Sequence, residues 1–278
     1  YPENAVVNRS DPEGNAIPHP VYKDEDGNIF PIRQLIAYYK SLHAYDWIES
    51  LGEAYALSAN ESYAITASRL LNRLATTYSS YAWHDNFRFE QNPWGWAGKL
   101  SGWHMNDAKI LTQCAKTYDA IRRSPSLNEK QRSHIEENLF RLGGKMLTAV
   151  RPLQGISNDG AYRYGGVAII GRLLQDDDIL SWVLNDKDGY AVYIDKLFYE
   201  DGAWHERSLS YHDMLCESLY LAPYYLDGYK GIRLRDIPKL QDIYSLPFRM
   251  RFPDGTLPPV NDSRWGEKPR SSAIEGMY

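Results

Sequence analysis

The stretch "ESYAITASRLLNRLATTY", residues 61–78, decides the fold. Tyr63, Ala67, Leu70, Leu71, Leu74, Ala75 and Tyr78 recur at helical spacing, so the segment reads as a helix with one apolar face. The preceding "RQLIAYYKSLHAYDWIESLGEAYAL", residues 33–57, reads as a longer helix. Only "SAN" separates the two, and so short a break makes them an antiparallel pair.

Working outward, the same alternation repeats. Helical patterns cover about 103–122 and 128–150, the latter with Ile135, Leu139, Leu142, Met146 and Val150 in register. Others cover about 161–174, 176–184, 190–199, 209–227 and 234–250. Three long connections interrupt them: "YAWHDNFRFEQNPWGWAGKLSG" (81–102), "RPLQGISNDG" (151–160) and "RFPDGTLPPVNDSRWGE" (251–267). Loops of that length and aromatic content are more often functional than idle. Residues 1–31 carry five prolines and read as an irregular N-terminal arm with at most a short hairpin; residues 32–278 form the helical domain. Helical hairpins without a strict repeat predict an all-α fold, a curved or toroidal array rather than a solenoid.

The composition narrows the function. At 43% hydrophobic and 24% charged residues the chain belongs with soluble globular proteins. Its net charge is −5, and no run of Lys or Arg exceeds two, which argues against nucleic acid as a partner. No apolar run reaches the roughly 20 residues of a membrane span. Tyr and Trp, at 22 and 8 against 7 Phe, suit surfaces that stack on sugars as well as helix interfaces. Cys114 and Cys216 lie in helical patterns and read as two buried free thiols. Asp186 and Asp188 in "NDKDG" miss the calcium-loop spacing and read as a turn, so neither metal nor cofactor is expected.

Three loop clusters concentrate groups able to handle protons or sugars: "NPWGWAGKLSGWH" (92–104), "GISNDGAYRYGG" (155–166) and "DGAWHERSLSYH" (201–212). Taken in order, "WIESLGEAYALSANESYAITASRLLNRLATTY", "WGWAGKLSGW", "AKTYDAI", "SNDG", "GGVAIIGRLL", "YEDGAWHERSLSYH" and "LPPVNDS" resemble the helical domain of heparinase II/III-type polysaccharide lyases, over about residues 33–265. The resemblance implies an incomplete (α/α) toroid that lacks a downstream β-sandwich domain, with the present chain a piece of something longer. It implies an acidic polysaccharide substrate cut by β-elimination, in the periplasm or outside the cell.

Carried over by residue, Asn158 neutralises the uronate carboxylate and Tyr211 is the general acid and, for some sugar stereochemistries, the base. Arg207, four residues before Tyr211, would lower the phenol pKa or hold a carboxylate, and His205 joins the catalytic set. Trp94, Trp96, Trp103, His104, Arg163, Glu206 and His212 would bind substrate. Two departures stand out: Asp159 follows Asn158 where many relatives have His, and the other catalytic His of the family belongs to the sandwich domain. The bland readings are an Asx turn or helix cap for Asn158, an interface phenol for Tyr211, and structural roles for both histidines. The alternatives in function are a toroidal glycoside hydrolase, built on two acids among Asp159, Asp201, Glu206 and Asp262, and a non-catalytic glycan-binding fragment.

Overall fold

A computed structural model describes residues 2–10, 16–84, 89–90, 97–149, 158–185 and 187–270. The chain forms two compact units, Tyr1–Leu142 and Gly143–Tyr278.

The first unit opens with an antiparallel sheet of β1 (Ala5–Ser10), β2 (Ala16–Lys23) and β3 (Ile29–Phe30), where the sequence suggested an irregular arm with a short hairpin; the hairpin is present, and a further strand extends it. The prolines misled for a physical reason. Pro18 and Pro20 pair with Asn8 and Val6, whereas β3 joins β2 only at Tyr22 and Lys23. Across residues 16–21 one side of β2 is therefore an edge, where a missing N–H costs nothing. The helices α1 (Ile32–Ser58) and α2 (Glu61–Tyr78) form the expected pair. Ala59 turns left-handed at φ 53° and Asn60 caps α2 by accepting from the Ser62 N–H at 3.0 Å. The buried face of α2 runs through Ala64, Ala67, Leu71, Leu74, Ala75 and Tyr78, while Tyr63 lies off it and is exposed.

Two short strands, β4 (Trp83–His84) and β5 (Phe89–Glu90), precede α3 (His104–Ile121), which packs on α1 and α2. A reciprocal capping box between Asn128 and Gln131 starts α4 (Glu129–Ile135). A π-helical turn, Glu136–Arg141, then runs into α5 (Leu142–Ala149). The wider turn shifts the apolar register: Ile135 and Leu139 stay buried, Phe140, Gly143 and Leu147 join them, and Leu142 rotates out to 37% exposure. Val150 is outside the described residues.

In the second unit α6 (Asp159–Leu174) is buried on every side from Gly160 to Gly171. Around it pack α7 (Asp177–Leu184), α9 (Leu209–Leu219) and α10 (Leu221–Leu226), while α8 (Tyr190–Leu197) and α11 (Lys239–Met250) contact the outer members. Cys114 and Cys216 are buried free thiols, as expected. Among the described residues no helix is long and apolar enough to cross a membrane.

The tight contact in this unit is at Gly165. A Cβ there would sit 2.9 Å from Cβ and Cδ1 of Leu221 and 3.3 Å from the Ser218 carbonyl oxygen. Gly165→Ala is therefore expected to cost about 1–3 kcal/mol by forcing α6 off its neighbours. Urea denaturation measures it, and an unchanged midpoint would mean that the contact relaxes freely.

Candidate active site

Two helices running in the same direction position the candidate groups. The Tyr162 hydroxyl on α6 donates to the Met214 carbonyl of α9 at 3.3 Å, an offset of 52 residues. One turn further, Gly165 faces the Ser218 carbonyl at a closely similar offset. Both contacts advance in the same direction along the two helices. The two residues stand at the N-terminal ends of their helices, Asn158 just before α6 and Tyr211 in the first turn of α9.

Asn158 is half-buried and has helical dihedrals, φ −54° and ψ −28°, and its side chain makes no capping hydrogen bond. Among the described residues its carbonyl accepts from the Ala161 N–H at 3.3 Å. The helix-cap role that would explain an Asn here is thus not the one it performs.

Tyr211, also half-buried, is held by a start of α9 that is capped twice. Ser208 is the N-cap, its Oγ accepting from the Tyr211 N–H at 3.2 Å. Ser263, far along the chain, accepts from the N–H groups of Leu209 at 2.8 Å and Ser210 at 3.3 Å. The surrounding segment is strapped to the same turn. Asn261 donates to the Glu206 carbonyl at 3.0 Å, the Ser210 hydroxyl donates to Glu267, and the Arg270 N–H donates to both Asp213 oxygens at 3.0 and 3.1 Å. Burial pushes the Asp213 carboxyl up, and the Arg270 N–H and guanidinium pull it back. None of Ser263, Glu267 and Arg270 was picked out from sequence as a site residue. The only signal was the lone "NDS" after two prolines.

The turn before α9 carries the other catalytic candidates. Arg207 precedes the helix and sits in the left-handed region at φ 57°, so the one-turn spacing to Tyr211 does not apply. Its exposed guanidinium lies 5.9 Å from the Tyr199 ring centre. A non-glycine residue held there stores strain on the order of 1–3 kcal/mol, a condition found most often at functional sites. His205 is half-buried, edge-on to Trp204 at 4.3 Å, and its buried Nδ1 has no hydrogen-bond partner among the described residues. Glu206 is exposed and accepts from the Trp204 indole at 3.1 Å.

The other expected binding residues take the following positions. Arg163 is 3% exposed, stacks 4.8 Å from the Trp182 ring and donates from Nε and Nη2 to the Leu147 carbonyl at 2.9 and 2.5 Å. It caps the end of α5 instead of facing solvent. His212 is 0% exposed, with Nε2 2.8 Å from the Ile243 carbonyl. Both positions are interior ones, which corrects the expectation that their side chains meet substrate. Trp103 and His104 belong to the first unit, at the N-cap and first residue of α3, with His104 fully buried. Trp94, Trp96 and Asp186 are outside the described residues.

No family model matches the chain. An exo-oligoalginate lyase of Saccharophagus degradans is 31% identical over 169 residues, 58% of this chain and 22% of that protein. Among solved structures, alginate lyase A1-III from Sphingomonas species A1 aligns with a TM-score of 0.55 and 18% identity over 98% of this chain and 64% of its own. Heparinase III aligns with a TM-score of 0.58 and 17% identity over 80% and 33%. The likeness establishes the class of fold, the all-α helical-hairpin fold of these lyases, in agreement with the resemblance read from the sequence. The chain spans about a fifth of the length of its curated relative, and from a third to just under two thirds of these two solved chains.

His212 gives this region a pH signature. Burial lowers its pKa from 6.5 to about 4, opposed by the bond to the Ile243 carbonyl. The unfolded chain binds the proton more readily than the folded one, so stability is complete above pH 6.5 and falls as the pH drops toward 4. The loss expected from this group is on the order of 3 kcal/mol. Urea titrations at pH 7 and pH 4.5 should show a smaller drop in His212→Gln than in the wild type; equal drops would remove His212 as the acid-sensitive group.

Proposed function

We propose that this chain is the helical part of a polysaccharide lyase that cleaves a uronic-acid polymer by β-elimination, with alginate the favoured substrate. The observation that supports the reading is the similar offset of the contacts between α6 and α9, which, carried back one turn, would bring Asn158 level with Tyr211. The likeness to an exo-oligoalginate lyase and to alginate lyase A1-III supports the substrate class.

In β-elimination the C5 proton leaves, its electron pair forms the C4–C5 double bond, and the C4–O bond breaks. The departing oxygen keeps the bonding pair and takes up a proton. The difficulty is electrostatic, because the electron pair left at C5 builds up next to a carboxylate already carrying charge. The Asn158 amide, free of any capping duty, donates to that carboxylate and stabilises the enolate as it forms. The Tyr211 hydroxyl protonates the departing oxygen. Where the C5 hydrogen and the leaving group share a face of the ring, the same oxygen first removes the proton. Each such transfer is worth roughly 10²–10⁴-fold.

Arg207 and His205, on the turn that leads into Tyr211, are assigned to a neighbouring carboxylate and to a second proton-handling position. Two of the four acids open to a hydrolase reading are engaged locally: Glu206 with the Trp204 indole, and Asp201 with the Ala203 N–H at 2.9 Å. A polymeric substrate of this kind points to action in the periplasm or outside the cell.

Incubation with alginate, heparan sulfate, chondroitin and ulvan tests the proposal. Alginate should give rising ultraviolet absorbance from the conjugated C4–C5 double bond. Tyr211→Phe should lower kcat at least about 100-fold while leaving the circular dichroism unchanged. New reducing ends without that absorbance would identify a hydrolase instead, and no product from any of the four polymers would contradict the elimination reading.

A further inference from the structure

In the first unit, a turn built around a buried acid holds out a lysine. Asp107 on α3 is fully buried, and its carboxylate accepts from the backbone N–H of Lys99 at 2.6 Å, Leu100 at 3.1 Å and Ser101 at 3.0 Å, and from the Ser101 hydroxyl at 2.9 Å. Burial raises its pKa and these donors oppose the rise. The turn is pinned on its other side as well, since Gly98 exchanges both backbone hydrogen bonds with His84, at 3.0 and 2.9 Å. A side chain at Gly98 has no room, because Asp107 Oδ1 and the Trp103 nitrogen lie 2.8 Å from where its Cβ would be. The segment from Ala97 to Ser101 is thus a rigid mount.

What the mount presents is Lys99. Its Nζ lies 5.5 Å from the ring centre of Tyr78 and 6.0 Å from that of Trp83. Tyr78 is buried and forms the floor, while Trp83 is half-buried and keeps part of its surface open. Lys99 itself is half-buried, and burial lowers its pKa against the pull of Asp107. Among the described residues Lys99 has no ion-pair partner, and the Asp107 oxygens are occupied by their own donors. A partly desolvated ammonium beside aromatic faces is at its most favourable when an anion arrives to complete it. Packing alone would be served equally well by an apolar chain of the same length, since an aromatic contact of this kind contributes only about 0.5–1 kcal/mol.

We propose that Lys99 and Trp83 form a subsite for an acidic sugar, with the Lys99 ammonium on the carboxylate of a uronate and the Trp83 face against its ring. Lys99 is then a specificity-determining residue: it selects charged over neutral sugars. The assignment rests on the uronate-polymer reading above, and its test is arranged to fail separately from it.

Calorimetry in a Tyr211→Phe background, where turnover is suppressed, compares an alginate tetrasaccharide with the same tetrasaccharide carboxyl-reduced to primary alcohols. The acidic form should bind at least about tenfold more tightly. Lys99→Met, which keeps the length of the chain without its charge, should lower that ratio at least about threefold with little change for the reduced sugar, leaving the part due to Asn158 and Arg207. Lys99→Arg should restore most of the preference. An unchanged ratio in Lys99→Met, equal weakening of both ligands, or no acid preference in the first place would overturn the subsite. Charge-selective binding that depends on Lys99 but yields no unsaturated product would keep the subsite and discard the elimination reading. Elimination with an unchanged KM in Lys99→Met would do the reverse.

Discussion

The packing of α6 on α9 is the constraint on which the rest depends. Gly165 lets the two backbones approach until the Ser218 carbonyl and the Leu221 side chain fill the space a methyl would need. The Tyr162 hydroxyl then locks the register on Met214. Each helix begins at a candidate residue, Asn158 just before α6 and Tyr211 in the first turn of α9. Any side chain at this glycine would push α6 away from these neighbours.

The second requirement is that the start of α9 stay still, and it is met by groups distant in sequence. Ser208 and Ser263 take up the first N–H groups of the helix, and Asp213 receives the Arg270 N–H on its buried carboxylate. Tyr211 is thereby held by its backbone. Arg207, in a left-handed conformation immediately before the cap, is part of the same tight entry. The first unit uses a comparable device at Asp107, where a buried carboxylate organises a turn instead of a helix.

Most helices were legible because their apolar periodicity survives in the sequence, and α2, α3, α6 and α7 lie within a few residues of the reading. Where the period breaks the reading broke too. The π turn displaced Leu142 from the face assigned to it, and the prolines of the arm concealed a sheet whose edge tolerates them. Within the candidate site, Asn158 and Tyr211 stood out through family resemblance, since an Asn near a helix start and one more Tyr carry little signal alone. Arg163 and His212 looked like Asn158 and Tyr211 at that level; burial among distant partners separates them, and no local spacing reports it. The Ser263–Arg270 strap and the setting of Lys99 beside Tyr78 and Trp83 were invisible for the same reason, as each depends on contacts that only the folded chain creates.

The central claim is that one amide and one phenol address the same sugar ring. A crystal structure of the Tyr211→Phe protein with an alginate tetrasaccharide tests it most directly. The account predicts the Asn158 side-chain nitrogen about 3 Å from a carboxylate oxygen of one uronate, with the ring at position 211 against the glycosidic oxygen of that same residue. A sugar bound with Asn158 and residue 211 on different rings, or with either turned away from it, would contradict the account.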